Sequence, residues 1–338
     1  MTLGNARSGR PSIVCRALVG IAFAAIAGTV AFRAQYVIHA HGGDHIVLWR
    51  AAHIILEGGD PYQIAHWSGG IQLPDAKQRF FYPLPAFAFG LPFAWLSPEA
   101  AAVAFVVCSA AALGYLLTRD GYERVPLILS VPFLASAQFA QTTVAIVACA
   151  LEANASGFAL LKPNIGLALF AWRPSRRAAL VASAIFIGSA ILSPTWPAHW
   201  RILVRSSPTH HAPITMATGF VALAAIARWR RPEARLLIAM SLIPHGLYFY
   251  DELPLLLIAS SRRETMVLTF MSWLGLLAWM ATSPGPDLHH IQQWVVASLY
   301  PATVIMILRR PNEGHAPKSI DGLLLRAPAW LRGRPPAA

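Results

Sequence analysis

The chain has 338 residues, of which 56% are hydrophobic and only 12% charged, with a mean hydropathy of +0.51. A soluble domain carries about 25% charged residues, so this chain has too little polar surface to cover a water-facing globule, and lipid must solvate part of it. The net charge of +12 does not read as a nucleic-acid patch: the basic residues fall in short clusters between apolar runs, as in Arg173, Arg176 and Arg177, in Arg228, Arg230, Arg231 and Arg235, and in Arg309 and Arg310, the positive-inside pattern of a multi-pass membrane protein.

The first apolar run, Ile13 to Ile38, follows a basic stretch. It is longer than a signal-peptide core and lacks a small-residue cleavage site, so it is expected to be an uncleaved first helix with a cytoplasmic N-terminus. The polar stretch that follows, 39–81, is then a first outer loop. Within it, Ile46 to Leu56 predicts a short amphipathic helix at the interface, stopped by Gly58-Gly59-Asp60-Pro61. Pro83, Pro85, Pro92 and Pro98 break the run from Pro83 to Trp95 into short helical pieces. Ala100 to Leu117 is the next apolar segment. Val125 to Ala137 and Thr142 to Ala153 flank a polar pair, Gln138 and Gln141.

Gly157 to Leu161 and Ile165 to Trp172 are separated by Lys162-Pro163-Asn164. After Ala178 to Leu192 comes a second outer loop, Ser193 to Pro213, containing Trp196, His199, Trp200, His210 and His211. Ile214 to Ala227 leads to the basic cluster at Arg228–Arg235. Leu236 to Tyr248 and Leu253 to Ala259 are each short for a bilayer crossing, which needs about 20 residues; Tyr250-Asp251-Glu252 lies between them. Met266 to Ala281 and Val295 to Leu308 complete the set. The expected fold class is an all-α integral membrane bundle of about nine to eleven segments, several short or broken. One polytopic domain over 1–312 precedes a Pro-rich, disordered cytoplasmic tail over 313–338. The three cysteines, Cys15, Cys108 and Cys149, lie in or beside apolar runs without metal-ligand spacing and are expected to be free thiols.

Charge at membrane depth costs at least about 2.5–3.5 kcal/mol per residue, so Lys162 and Asp251 inside apolar stretches are candidate functional residues, as are Gln138 and Gln141. Each also has a plainer reading, as a snorkelling lysine at a helix end or a wet turn residue. Asp44, a few residues past the first helix, is a candidate general base for a hydroxyl nucleophile. Arg50 and nearby histidines are candidate phosphate contacts. His41, His45 and His53 have metal-like spacing on a helix, but Gly42-Gly43 argues against a helix there, and no metal or cofactor is expected.

The order Asp44, Trp49, Ala51-Ala52, Gly58, Pro61-Tyr62, then Phe81-Tyr82-Pro83, Ala140-Gln141-Thr142, Lys162-Pro163 and Tyr250-Asp251 resembles glycosyltransferase family 87. These are membrane mannosyltransferase-like proteins of the GT-C fold. The resemblance runs in order from about residue 13 to residue 260. It implies transfer of a sugar, mannose in that family, from a polyprenyl-phosphate donor to a glycan or glycolipid acceptor on the extracytoplasmic face of the cell membrane. Membrane lipid is the surrounding partner, and no metal or cofactor is called for. By resemblance Asp44 is the base, Lys162 contacts the donor phosphate, and Tyr62, Tyr82, Gln141 and Asp251 line the cavity. The chain departs from the family at Ala140 and Thr142, where the motif has Gly and Asn, and at Leu84, where it has a second proline. The stretch from Gln141 to Lys162 is also short. Those departures keep open a degenerate, non-catalytic relative. Broken helices with buried polar residues also fit a transporter or flippase of lipid-linked sugars, although inverted repeats are not evident.

Overall fold

A computed structural model describes residues 11–63, 80–205, 210–283 and 288–313. His66, Asp75, Lys77 and Arg79 of the first polar stretch, and the expected tail from residue 314 onward, lie outside the described residues. In chain order the α-helices are α1 (Ile13–Phe32), α2 (His45–Leu56), α3 (Pro98–Leu117), α4 (Val131–Gln138), α5 (Thr143–Leu151), α6 (Pro163–Trp172), α7 (Arg176–Leu192), α8 (Trp196–Arg205), α9 (Pro232–Leu242), α10 (Arg262–Thr282) and α11 (Leu288–Leu308). A π-helical turn, Arg33–Val37, extends α1. The principal 3₁₀ runs are Leu84–Phe89, Val125–Leu129, Ser156–Leu161, Gly219–Arg228 and Phe249–Ile258. Among the described residues no strand forms; a single antiparallel bridge joins His211 and His245.

Among the described residues, four helices are long and apolar enough to cross a membrane: α1 with its extension, α3, α10 and α11 over His290–Leu308. A fifth arises if α7 and α8, bent by 106° at Ser193–Thr195, count as one broken span. The nine to eleven segments expected from the apolar runs do not all become full-length spans. Prolines and polar breaks divide the remaining apolar sequence into helices such as α6 and the 3₁₀ run Gly219–Arg228, each 10 residues long.

Serine caps begin several helices. The hydroxyls of Ser12, Ser97, Ser130, Ser175 and Ser261 each accept a backbone N–H of the first turn, satisfying donors that a helix start leaves open. The long helices then sort by environment. In α3 and α11 about half the residues of the apolar window are buried, whereas in α1 and α10 about a fifth are. The first pair is internal. The second pair turns residues such as Ile21 and Phe270 outward, as a lipid-facing helix does.

Helix α1 packs antiparallel on α3 through small residues. A Cβ on Gly114 would lie 2.8 Å from the Phe23 ring, and one on Gly20 would lie 2.8 Å from the Ala111 carbonyl oxygen. Close approach through glycine and alanine is how helices associate where lipid removes the hydrophobic drive. Phe23 in turn meets Phe133 of α4 edge to face at 5.2 Å.

Arginines close the C-terminal ends of the short inner elements and of the long helix α11. Arg124 donates to the carbonyls of Leu257 and Ala259, and Arg310 to that of Ile258, all at the end of Phe249–Ile258. Arg235 donates to Ala171 at the end of α6. Arg228 donates to Leu308 and Arg310 at the end of α11. Part of the basic clustering seen in the sequence is therefore helix capping by cations, which the negative end of the helix dipole favours.

Candidate active site

At the other end of the short elements lies a cavity of about 480 Å³, lined by residues that include Asp44, Tyr82, Gln141, Lys162, Tyr250 and Asp251. Seven separate stretches of sequence meet there, and helix starts supply several of the polar groups. Asp44 precedes α2, Thr142 precedes α5, Lys162 precedes α6, and Tyr248 precedes Phe249–Ile258. Each start points open N–H groups and the positive end of a dipole toward its surroundings.

The turn that delivers Asp44 is unusual in its backbone. His39, His41, Gly42 and Gly43 all have positive φ, between 46° and 82°. Gly42 N–H donates to Gln35 Oε1 at 2.6 Å, and Asp44 N–H donates to the Phe139 carbonyl at 2.8 Å. A side chain at Gly43 would place its Cβ 2.7 Å from that same carbonyl oxygen, so only glycine lets the turn reach Phe139. Facing it, Ala140 sits at φ 49°, a conformation that costs a non-glycine residue about 1–2 kcal/mol. This turns Gln141 back so that its side-chain amide donates to the Asp44 carboxylate.

Lys162 reaches the cavity by a short route. Helix α5 carries the chain away over nine residues, about 13 Å at 1.5 Å per residue. A turn at 152–155 reverses it. The six-residue 3₁₀ run Ser156–Leu161 then brings it back about 12 Å, because 3₁₀ winding rises 2.0 Å per residue. The stretch between Gln141 and Lys162, short by comparison with the family pattern, therefore still returns Lys162 to the cavity. There its ammonium donates to Asp251 Oδ1 at 2.9 Å and to Thr143 Oγ1 at 3.3 Å. Both members of the ion pair are buried. A lysine has three N–H donors, so two are committed to these partners.

The sequence-derived candidates divide cleanly. Asp44, Tyr82, Gln141, Lys162 and Asp251 share the cavity. Tyr62 and Arg50 are buried but do not line it. Tyr62 stands behind the wall, donating its hydroxyl to the Tyr82 carbonyl at 2.8 Å, and burial, with Asp60 nearby, pushes its pKa up. Arg50 lies six residues along α2 from Asp44, about 9 Å further down the axis. Gln138 is exposed on the last turn of α4.

Several residues of the site were not singled out from sequence. Trp200 and His210 line the cavity, and the Trp200 indole donates to the Phe81 carbonyl at 2.9 Å, fixing α8 over the 80–83 segment. Burial lowers the pKa of His210, with Asp251 opposing the shift. Behind the cavity, His245 and Glu252 form a fully buried pair at 2.9 Å, and Tyr300 donates to the other Glu252 oxygen at 3.2 Å. The adjacent carboxylates Asp251 and Glu252 thus face opposite ways, each with its own basic partner. His45 is packed against Phe105 with ring centroids 4.5 Å apart, and burial pushes its pKa down to about 4. Among the described residues no group of three or more His, Cys, Asp or Glu side chains is arranged to hold a metal ion.

Fold and site together define a helical protein that carries at least four helices able to cross a membrane, among the described residues, and an ionisable cavity built from helix starts. No family model, no curated protein and no solved structure matches this chain.

Proposed function

We propose that this chain is a membrane glycosyltransferase of the GT-C type, similar to family 87, which moves a sugar, mannose by that resemblance, from a polyprenyl phosphate to an acceptor hydroxyl. The observation that carries the proposal is the meeting of Asp44, Tyr82, Gln141, Lys162 and Asp251 in one cavity. These are five of the six positions the resemblance nominates; the sixth, Tyr62, stands behind the wall. In this reading the cavity opens on the extracytoplasmic side of the cell membrane. The arginine-capped ends and both termini face the cytoplasm, and the shorter helices complete a polytopic bundle of nine to eleven embedded segments.

The chemistry follows from the partners of each group. The Asp44 carboxylate accepts a hydrogen bond from the Gln141 amide. It takes the proton of the acceptor hydroxyl as that oxygen bonds to the anomeric carbon. The bond from that carbon to the phosphate oxygen breaks on the opposite face, so the configuration inverts and polyprenyl phosphate leaves with the electron pair. Lys162 is already balanced by Asp251, and with His210 neutral the two cavity carboxylates outnumber the amine. The phosphate is therefore served by the remaining Lys162 N–H and by the N–H groups that helix starts leave open, those of α5 and that of Asn164, an arrangement suited to anions.

The test is donor-dependent sugar transfer in membranes. Asp44→Asn removes the base while keeping size and hydrogen bonding, and transfer is expected to fall about 10²–10⁴-fold, the usual contribution of a general base. Equal transfer by the variant and the wild type removes Asp44 from the mechanism. Movement of the lipid-linked sugar across the bilayer without covalent change would instead support the transporter reading.

A further inference from the structure

Tyr248 and Tyr250 stand on the cavity wall, half-buried, with their rings stacked at 5.1 Å and an interplanar angle of 25°. The backbone is bent specifically to put them there. Leu247, fully buried, sits at φ 52°, a conformation that bulky residues avoid and that tends to persist only where the surroundings enforce it. The preceding Gly246 is closely packed: a Cβ would lie 3.0 Å from Asp251 Oδ2 and 3.0 Å from the Tyr248 ring. The Gly246 carbonyl is fixed by Gln292 of α11 at 3.1 Å, and the Tyr248 carbonyl accepts the Asp251 N–H at 2.9 Å. The stacked pair is thus a fixed aromatic element of the cavity wall beside Asp251.

Its position relative to Asp44 is also set. The Tyr250 ring meets the Phe139 ring at 5.9 Å, and the Phe139 carbonyl holds the Asp44 N–H. The platform therefore adjoins the candidate base. The face of an aromatic ring carries negative charge density, so it repels a phosphate and attracts weakly positive C–H bonds. A pyranose ring presents such a C–H face while its hydroxyls project around the rim. We infer that Tyr248 and Tyr250 form an acceptor subsite, and that the acceptor presents a pyranose ring there with one rim hydroxyl directed to Asp44. The inference rests on the glycosyltransferase reading for the word acceptor and on the aromatic geometry for the sugar.

The experiment uses the full chain in detergent micelles with methyl α-D-mannopyranoside and methyl β-D-glucopyranoside as ring probes. Citronellyl phosphate, a short polyprenyl phosphate without sugar, is the second probe. Saturation-transfer NMR is expected to show contact with one of the glycosides, and Tyr248→Leu to weaken it about tenfold. Tyr248→Phe, which keeps the aromatic face, stays within twofold of wild type. Both variants bind citronellyl phosphate as wild type does, which also reports that they are folded; Tyr250→Leu repeats the test should Tyr248→Leu fail that control. Undiminished glycoside binding to a folded leucine variant, equal losses in the phenylalanine and leucine variants, or no glycoside contact in the wild type overturns the subsite. Glycoside binding that depends on Tyr248 in a chain that transfers no sugar from a polyprenyl-phosphate donor keeps the subsite and removes the transferase reading. Transfer with an acceptor KM unmoved by Tyr248→Leu does the reverse.

Discussion

The two ends of the short inner elements use the same backbone chemistry to opposite purposes. At the arginine end, their C-termini present open carbonyls, and Arg124, Arg235 and Arg310 fill them. At the cavity end, helix starts present N–H groups and surround a cavity instead. Both ends are rich in charge, but one is closed on itself while the other keeps space for a ligand. A cluster of charged residues in a membrane sequence is therefore not by itself a site; what matters is whether its polar groups are used up by the chain's own backbone.

The comparison makes the cavity end fragile in a particular way. Lys162→Met leaves Asp251 buried without its partner, and an uncompensated buried charge costs about 3–5 kcal/mol. Thermal unfolding in detergent should fall accordingly. Lys162→Met combined with Asp251→Leu is expected to recover most of that stability and none of the sugar transfer. Recovery of both, or of neither, means that the pair has been assigned the wrong part.

His45, directly after Asp44, gives a pH signature. Its folded pKa of about 4 lies below the ordinary value near 6.5. The unfolded chain therefore binds the extra proton first as pH falls, and stability present above pH 6.5 is lost progressively down to about pH 4. The full loss is about 3 kcal/mol at 1.36 kcal/mol per pKa unit. Unfolding midpoints measured across that range should flatten in His45→Phe; an unchanged slope assigns the effect to other groups.

The arginine end should respond more mildly and without loss of chemistry. Arg124→Ala removes two bonds to carbonyls of the Phe249–Ile258 run, an expected cost of about 1–3 kcal/mol, while transfer per folded molecule stays near wild type. A large specific loss of transfer here would show that the two ends are not separable. The smallest effect is expected at Ala140. Glycine at φ 49° relieves about 1–2 kcal/mol of strain but adds freedom to the unfolded chain, so Ala140→Gly should raise stability by no more than about 1 kcal/mol, read from the same unfolding curves.

The membrane character and the helical class follow from hydropathy alone, and the long spans α1, α3, α10 and α11 were visible as apolar runs. The number of full crossings was not, because hydropathy does not distinguish a ten-residue helix inside a protein from part of a span. Lys162 and Asp251 stand out in the sequence as charges in apolar stretches, and Asp44 as an acid just past the first helix. That Lys162 and Asp251 form a pair was hidden, since 89 residues separate them and only folding brings them together. Tyr248 was hidden for a different reason: it ends an apolar run as an ordinary aromatic, and its exposure to the cavity depends on the left-handed turn at Leu247, for which the sequence offers only the neighbouring Gly246 as a sign.

The hairpin formed by α5 and Ser156–Leu161 carries a last consequence. Its arms are about 13 and 12 Å long, and α6 is about 15 Å, whereas the hydrocarbon core of a bilayer is about 30 Å thick. On the proposed placement in a membrane, a cavity floored by the tops of such short elements would be a well sunk into the low-dielectric slab, with an insulating layer beneath it about half as thick as the lipid around it. In that reading a phosphate headgroup would descend into the well to meet Lys162, and water would descend with it.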